Sequence, residues 1–218
     1  MDLFVTLEHH FDRTPDGALW TQTQFAYPFW TRYLAVFEQV RVVARVRRVS
    51  SVPSDWVRAD GAHVSFQPLP DYLGPWQYAM RLGQIRRAAR NVVGQGDAVI
   101  LRVSAQTASH VEPMLRRTGH PYGVEVVADP YDVFAPGSVK HPLRPLFRWW
   151  FSRQLRHQCA GACAAAYVTQ YALQRRYPPA PGSFSTYYSS VELPEAAFAS
   201  APRSALSGKD VISGCRAG

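Results

Sequence analysis

Two adjacent histidines, His9 and His10, follow Glu8 directly after the apolar run Leu3 to Leu7. Neighbours on extended backbone point to opposite sides, so the pair cannot easily hold one metal ion together. Either one, His9 first, could take a proton or orient a hydroxyl; the plainer role is a solvated loop side chain. Arg102 and Ser104 close a second apolar run, Ala98 to Val103. A charge inside such a run must leave the core or find a partner. Arg102 is therefore an anchor for a phosphate or carboxylate, or one half of an ion pair with Asp129. The turn Asp129-Pro130-Tyr131-Asp132 offers two fixed acceptors for sugar hydroxyls, and Asp132 could serve as a catalytic base. Asp129 could equally cap the turn before Pro130. Thr169 follows the last clear apolar run.

These residues fall at the ends of strands in an alternating pattern. Leu3 to Leu7 and Val40 to Val46 read as strands, with a helix from Pro28 to Phe37 between them. Asp16-Gly17 is a turn, Pro53 to Gly61 a connection, and His63 to Phe66 a weaker strand. Tyr78, Leu82, Ile85, Ala89 and Val92 recur at helical spacing within Pro75 to Val93. Strands follow at Ala98 to Val103, Tyr122 to Ala128 and Cys163 to Thr169. The helices between and after them are Thr107 to Arg117, Leu143 to Gln158 and Tyr171 to Tyr177. Parallel neighbours need crossover connections, so the order predicts an α/β, Rossmann-like three-layer domain with a mainly parallel sheet. Ligands of such sheets gather beyond the carboxyl ends of the strands. That rule selects Glu8, His9, His10, Arg102, Ser104, Asp129 to Asp132 and Thr169.

The 218 residues are 47% hydrophobic and 18% charged, enough to build one large core. The formal charge of +8 is unevenly placed. Between Val133 and Val191 there is no Asp or Glu, while Lys140, Arg144, Arg148, Arg153, Arg156, Arg175 and Arg176 all lie there. Such a stretch would attract phosphates, or form a merely solvated face. On the helix from Leu143, the residues Leu143, Leu146, Phe147, Trp150 and Leu155 are read as one side and Arg144, Arg148 and Arg156 as another. Packing of the apolar side on the sheet is favoured over its lying on an anionic membrane. Cys159, Cys163 and Cys215 make no disulfide framework, and the first two are expected to be small buried hydrophobes. Gly94-Gln95-Gly96 precedes a strand instead of following one, so it is no dinucleotide fingerprint. A P-loop and a Gly-x-Ser-x-Gly elbow are missing too, so NAD, P-loop ATP and serine hydrolase chemistry lose support.

The runs Asp97 to Ser104, Tyr122 to Phe134 and Ala166 to Leu173, with Thr186 to Leu193, resemble the N-terminal domain of GT-B glycosyltransferases of the retaining group 1 type. The resemblance implies the acceptor-side half of an enzyme that moves a sugar from a nucleotide-sugar donor to an acceptor hydroxyl, without metal or other cofactor. His9 and Asp132 would then be catalytic, while Glu8, Arg102, Ser104, Asp129 and Thr169 bind the acceptor, a glycan or a lipid. Residues 1–198 are expected to form this domain and 199–218 an irregular tail. On this resemblance the donor-binding domain of that family is expected to be absent, so the donor would bind only with a missing C-terminal half, and the chain alone would be inactive. Separately from the resemblance, the odd cysteine count and the lack of a secretory segment at Met1 predict a reducing, cytoplasmic setting, with peripheral contact at the inner face of the membrane as an option. The competing expectation is a non-catalytic basic module for anionic lipid or nucleic acid, nucleic acid being the less expected partner.

Overall fold

In a computed structural model that describes residues 1–90, 93–94 and 96–189, the first strand is longer than its apolar run. Strand β1, Leu3–Arg13, passes through Glu8, His9 and His10, which therefore lie within a strand and not in a loop after it. Its extension has two partners. A turn with Gly17 at φ +89° brings β2, Leu19–Thr21, back antiparallel against Asp12 and Arg13. After helix α1, Tyr27–Leu34, strand β3, Val40–Arg48, runs parallel along β1 as far as Arg13. The β1–β3 register shifts between Thr6 and His10, so Glu8 and His9 sit at an irregularity that re-aims side chains.

The Pro53 to Gly61 connection contains a two-residue strand, β4, Val57–Arg58, paired to β2. β5, Val64–Pro70, continues the weak strand to the end of its parallel pairing with β3. Helix α2, Gly74–Arg90, crosses to β6, Ala98–Val103; Val92 in its predicted stripe lies outside the described residues. α3, Gln106–Thr118, ends at Gly119, whose φ of +69° is the left-handed stop that glycine adopts freely. β7, Gly123–Val126, a single-turn α4, Pro130–Val133, and α5, Arg144–Gly161, follow. β8, Ala164–Tyr167, α6, Ala172–Arg176, and β9, Phe184–Tyr187, complete the order. β9 was not foreseen as a strand. The expected boundary at 198, the tail 199–218, Cys215 and the end of the Thr186 to Leu193 run lie outside the described residues.

Among the described strands, every pairing among β1, β3, β5, β6, β7, β8 and β9 is parallel, while the short β2 pairs antiparallel with β1 and β4. One face of the sheet packs Phe4, Val43, Leu101 and Val103 against α3 (Val111, Leu115) and α5 (Leu155, Cys159). The other packs Val5, Val40 and Val42 against Phe29, Trp30 and Tyr33 of α1. Each such fully buried aliphatic or aromatic side chain contributes roughly 1.5–3 kcal/mol. Helices thus cover both faces, as the Rossmann-like three-layer reading expects.

The sheet grows from β1 in opposite directions, to β3 and β5 on one side and to β6, β7, β8 and β9 on the other. The strand order reverses between β1 and β6, which makes their tips the switch point where such sheets bind ligands. β1 pairs with β6 only through Thr6, so its later residues project beyond the β6 tip as a wall.

Two expectations about packing need correction. Leu143, Leu146 and Trp150 do not pack on the sheet: they are 50%, 51% and 55% exposed. The buried side of α5 is Ser152, Leu155, Gln158 and Cys159, in its second half, where the sheet lies beneath it. Cys163, just ahead of the first paired residue of β8, is exposed, whereas Cys159 is buried.

Candidate functional site

At the switch point the N-terminus of α3 faces β1. Ala105, in the N-cap position, has no side chain able to satisfy the first free amides of the helix. Glu8 does so from the neighbouring strand: its Oε2 accepts from the Thr107 amide and from Thr107 Oγ1, both at 3.0 Å. Its Oε1 accepts from Tyr72 Oη at 3.0 Å and pairs with Arg45 Nη2 at 3.0 Å. Arg45 lies 4.5 Å from the centre of the Tyr72 ring, and Tyr72 follows the end of β5. The positive end of α3 is therefore filled by the protein's own carboxylate, held by Arg45 of β3, Tyr72 after β5 and Thr107 of α3 itself. Burial, then the charge of Glu8, raises the pKa of the Tyr72 phenol, so it remains a donor. On the same side His10 Nδ1 contacts Asp71 Oδ1 at 2.6 Å.

His9 points the other way. Its Nε2 lies 2.9 Å from Thr21 Oγ1 and 3.2 Å from Thr23 Oγ1, and its ring meets Phe11 edge-on at 4.8 Å. Burial, with the charges of His10 and Arg45, lowers its pKa from 6.5 to about 4. A histidine that resists protonation only when folded contributes stability above pH 6.5, which is lost as pH falls towards 4. Allowing for partial exposure, lowering the pH from 7 to 5 is expected to cost about 1–2 kcal/mol through this group. Urea unfolding at both pH values should show His9→Gln losing less over that interval than the wild type; equal losses would refute the assignment.

Arg102 is 3% exposed and belongs to a buried network. Its Nη1 pairs with Glu125 Oε2, and Tyr33 Oη donates to Glu125 Oε1 at 2.8 Å. Burial works against the Arg102 charge, but Glu125 and Tyr33 outweigh it and raise its pKa. Of the two roles open to Arg102 the ion pair is the one observed, and its partner is Glu125 on the adjacent strand, not Asp129. Glu125 was legible: it interrupts the apolar run Val124 to Ala128 just as Arg102 interrupts its own.

Asp129 caps α4 by accepting from the Tyr131 amide at 2.9 Å; it also accepts from Tyr177 Oη at 2.6 Å and pairs with Arg176. Asp132 is 67% exposed at its side chain and lies 3.3 Å from the same Arg176. Thr169 accepts from the Leu173 amide at 3.0 Å in the turn that leads into α6. Ser104, half-buried, directly follows β6. The fold thus brings Glu8 and Ser104 to the switch point and gathers Asp129, Asp132 and Arg176 beyond β7. It puts His9 on the opposite face and Arg102 inside the sheet. Sequence reading missed Tyr72, Thr107 and Arg45 and placed Arg176 in a basic face without its acidic partners, since nothing local marks a partner supplied by a distant element. A further groove of about 380 Å³ between α2, α3 and α5 is lined by Tyr78, Gln106, His110, Arg86, Arg117 and Trp150. It contains none of the residues picked at the strand ends. His110 Nε2 lies 3.0 Å from Tyr78 Oη.

Fold and site together define a doubly wound α/β domain whose switch-point helix is capped from within. Over 156 residues, 71% of its length, the chain is 24% identical to Protein CapJ of Staphylococcus aureus, and it spans 39% of that protein. No family model matches, and no solved structure matches. Among the described residues no helix is long and apolar enough to cross a membrane.

Proposed function

We propose that the chain is the acceptor-side half of a glycosyltransferase of the GT-B, retaining group 1 type, and that it acts when a second domain presents the nucleotide-sugar donor. The observation that carries this reading is the Glu8 carboxylate at the N-terminus of α3. In doubly wound domains that bind nucleotides, this helix end takes the ligand's phosphate. Here an internal anion, fixed by Arg45 and Tyr72, occupies it. The position would repel a phosphate, and it leaves the strand tips to a neutral, hydroxyl-rich ligand. The sequence motifs and the partial likeness to CapJ lend further support.

In this reading Asp132, solvent-facing and steadied by Arg176, accepts a hydrogen bond from the acceptor hydroxyl, and Ser104 and Thr169 flank it. Asp129 positions the turn through its cap. Glu8 shapes the wall, and Arg102 and His9 support it from within the fold. The test is titration of the purified chain with neutral saccharides and nucleotide sugars, followed by backbone amide NMR. Expected are millimolar saccharide binding with shifts at Ser104, Asp132 and Thr169, about tenfold weakening in Asp132→Ala, and no sugar transfer. Tight nucleotide-sugar binding or turnover by this chain alone would overturn the assignment, as would no saccharide binding.

A further inference from the structure

The first half of α5 turns large apolar groups to solvent. Leu146, Trp149 and Trp150 are 51%, 57% and 55% exposed. One turn on, the same outward side carries Arg153 and Arg156, both exposed. α2 repeats the arrangement, with Trp76 and Met80 projecting from its first turns at 76% and 72% exposure. Crossover helices start at the carboxyl ends of parallel strands, so both apolar groups lie at the edge that holds the strand tips. Six Trp are present in the chain, and half of them stand in these two exposed helix starts. Exposed apolar groups of this size, clustered by position, mark a contact surface.

Beneath Trp149 lies a cavity of about 320 Å³ lined by Tyr131, Arg148, Ser152, Arg153 and Arg156, with no carboxylate. Two of its guanidinium groups are fixed. Arg148 lies 3.4 Å from the Tyr131 ring centre and donates to the Tyr131 carbonyl at 2.8 Å, and Arg156 donates to the Arg176 carbonyl at 3.3 Å. The acids of the adjoining turn, Asp129 and Asp132, are both engaged by Arg176. Pre-positioned cations without an acid in the lining suit a phosphate, and the apolar groups beside them suit acyl chains.

We propose that the starts of α5 and α2 dock on an anionic phospholipid bilayer. Leu146, Trp149 and Trp150 enter the interface, and the cavity edged by Arg153 and Arg156 takes a lipid phosphodiester. Tryptophan is the side chain best suited to that depth, with an apolar ring and a polar N–H. Nucleic acid would satisfy the arginines but leave Leu146 and Met80 without a partner. The inference stands on this surface alone and does not depend on the transferase reading. Docking at this edge would hold the strand tips close to the bilayer surface.

The experiment is co-sedimentation of the full chain with vesicles of phosphatidylcholine alone or with about 30% phosphatidylglycerol. Binding is expected only to the anionic vesicles, with a blue shift of tryptophan emission, and it should weaken as salt rises from about 50 to 500 mM. Trp149→Ala/Trp150→Ala and Trp76→Ala/Met80→Ala should each reduce the partition coefficient by about tenfold or more. Arg153→Ala/Arg156→Ala should reduce it and flatten the salt dependence, and Arg153→Lys/Arg156→Lys should retain much of it. All of these side chains are exposed, and circular dichroism verifies that the variants fold. Three results would each overturn the proposal: equal sedimentation of wild type and the double tryptophan variant, tighter binding to an oligonucleotide than to vesicles, or displacement from vesicles by millimolar inorganic phosphate.

Discussion

Glu125→Ala is expected to destabilise the folded chain by about 3–5 kcal/mol, because it leaves the Arg102 guanidinium buried without its counter-charge. Arg102 is 3% exposed, and its Nε already has no hydrogen-bond partner among the described residues. The remaining neighbours cannot take over. Tyr33 Oη is 3.5 Å from Nη1, and the rings of Phe25 and Phe29, at 5.7 and 5.2 Å, offer only a cation–π contact. Tyr33, whose pKa burial and Glu125 push up to about 12, would lose its acceptor as well. The double variant Arg102→Met/Glu125→Leu should recover most of the loss, since it removes both charges and keeps the volume. Urea denaturation of the wild type, Arg102→Met, Glu125→Leu and the double variant gives the coupling directly. A loss below about 1 kcal/mol for Glu125→Ala would mean that water reaches the pair.

Glu8→Ala is expected to cost about 2–4 kcal/mol, through the lost cap on α3 and the unpaired groups of Arg45 and Tyr72. It should also create a property the wild type lacks. With the carboxylate gone, the free amides at the start of α3 and the Arg45 charge form an anion site. Sulfate or phosphate at about 50 mM should then raise the melting temperature of Glu8→Ala by several degrees more than that of the wild type. Equal responses would show that the helix end does not attract anions, and the argument from Glu8 to a neutral ligand would fail with it.

The parallel sheet was legible because its signals are local and repeated. Val40 to Val46, Ala98 to Val103 and the helix that stops at Gly119 each carry their own evidence in composition and spacing. The extension of β1 was not legible, since Glu8, His9 and His10 break the apolar run and become strand only through β3 and β2. β9 was missed for a related reason: all four of its residues are exposed, so no burial pattern marks it. The site divided in the same way. Asp129 could be read as a cap because capping is local; Glu125 stood out as a charge in an apolar run, but its pairing with Arg102, 23 positions away, comes only from the adjacency of β6 and β7. The outward side of α5 misled because helical periodicity reports a stripe but not how far the sheet extends beneath it.

The central position of β1 has a consequence for biosynthesis. The strand leaves the ribosome ahead of both its parallel neighbours, and one of its edges is completed only when Ala98 to Leu101 emerges to pair with Leu3 to Thr6. At about 5–20 residues per second, that edge stays unpaired for several seconds on the nascent chain. During this time β3 and β5 can already be in place, so the half-made protein presents a sheet with an open apolar border. Trigger-type holdases that shield such borders should therefore matter more for the yield of this chain than for its final stability.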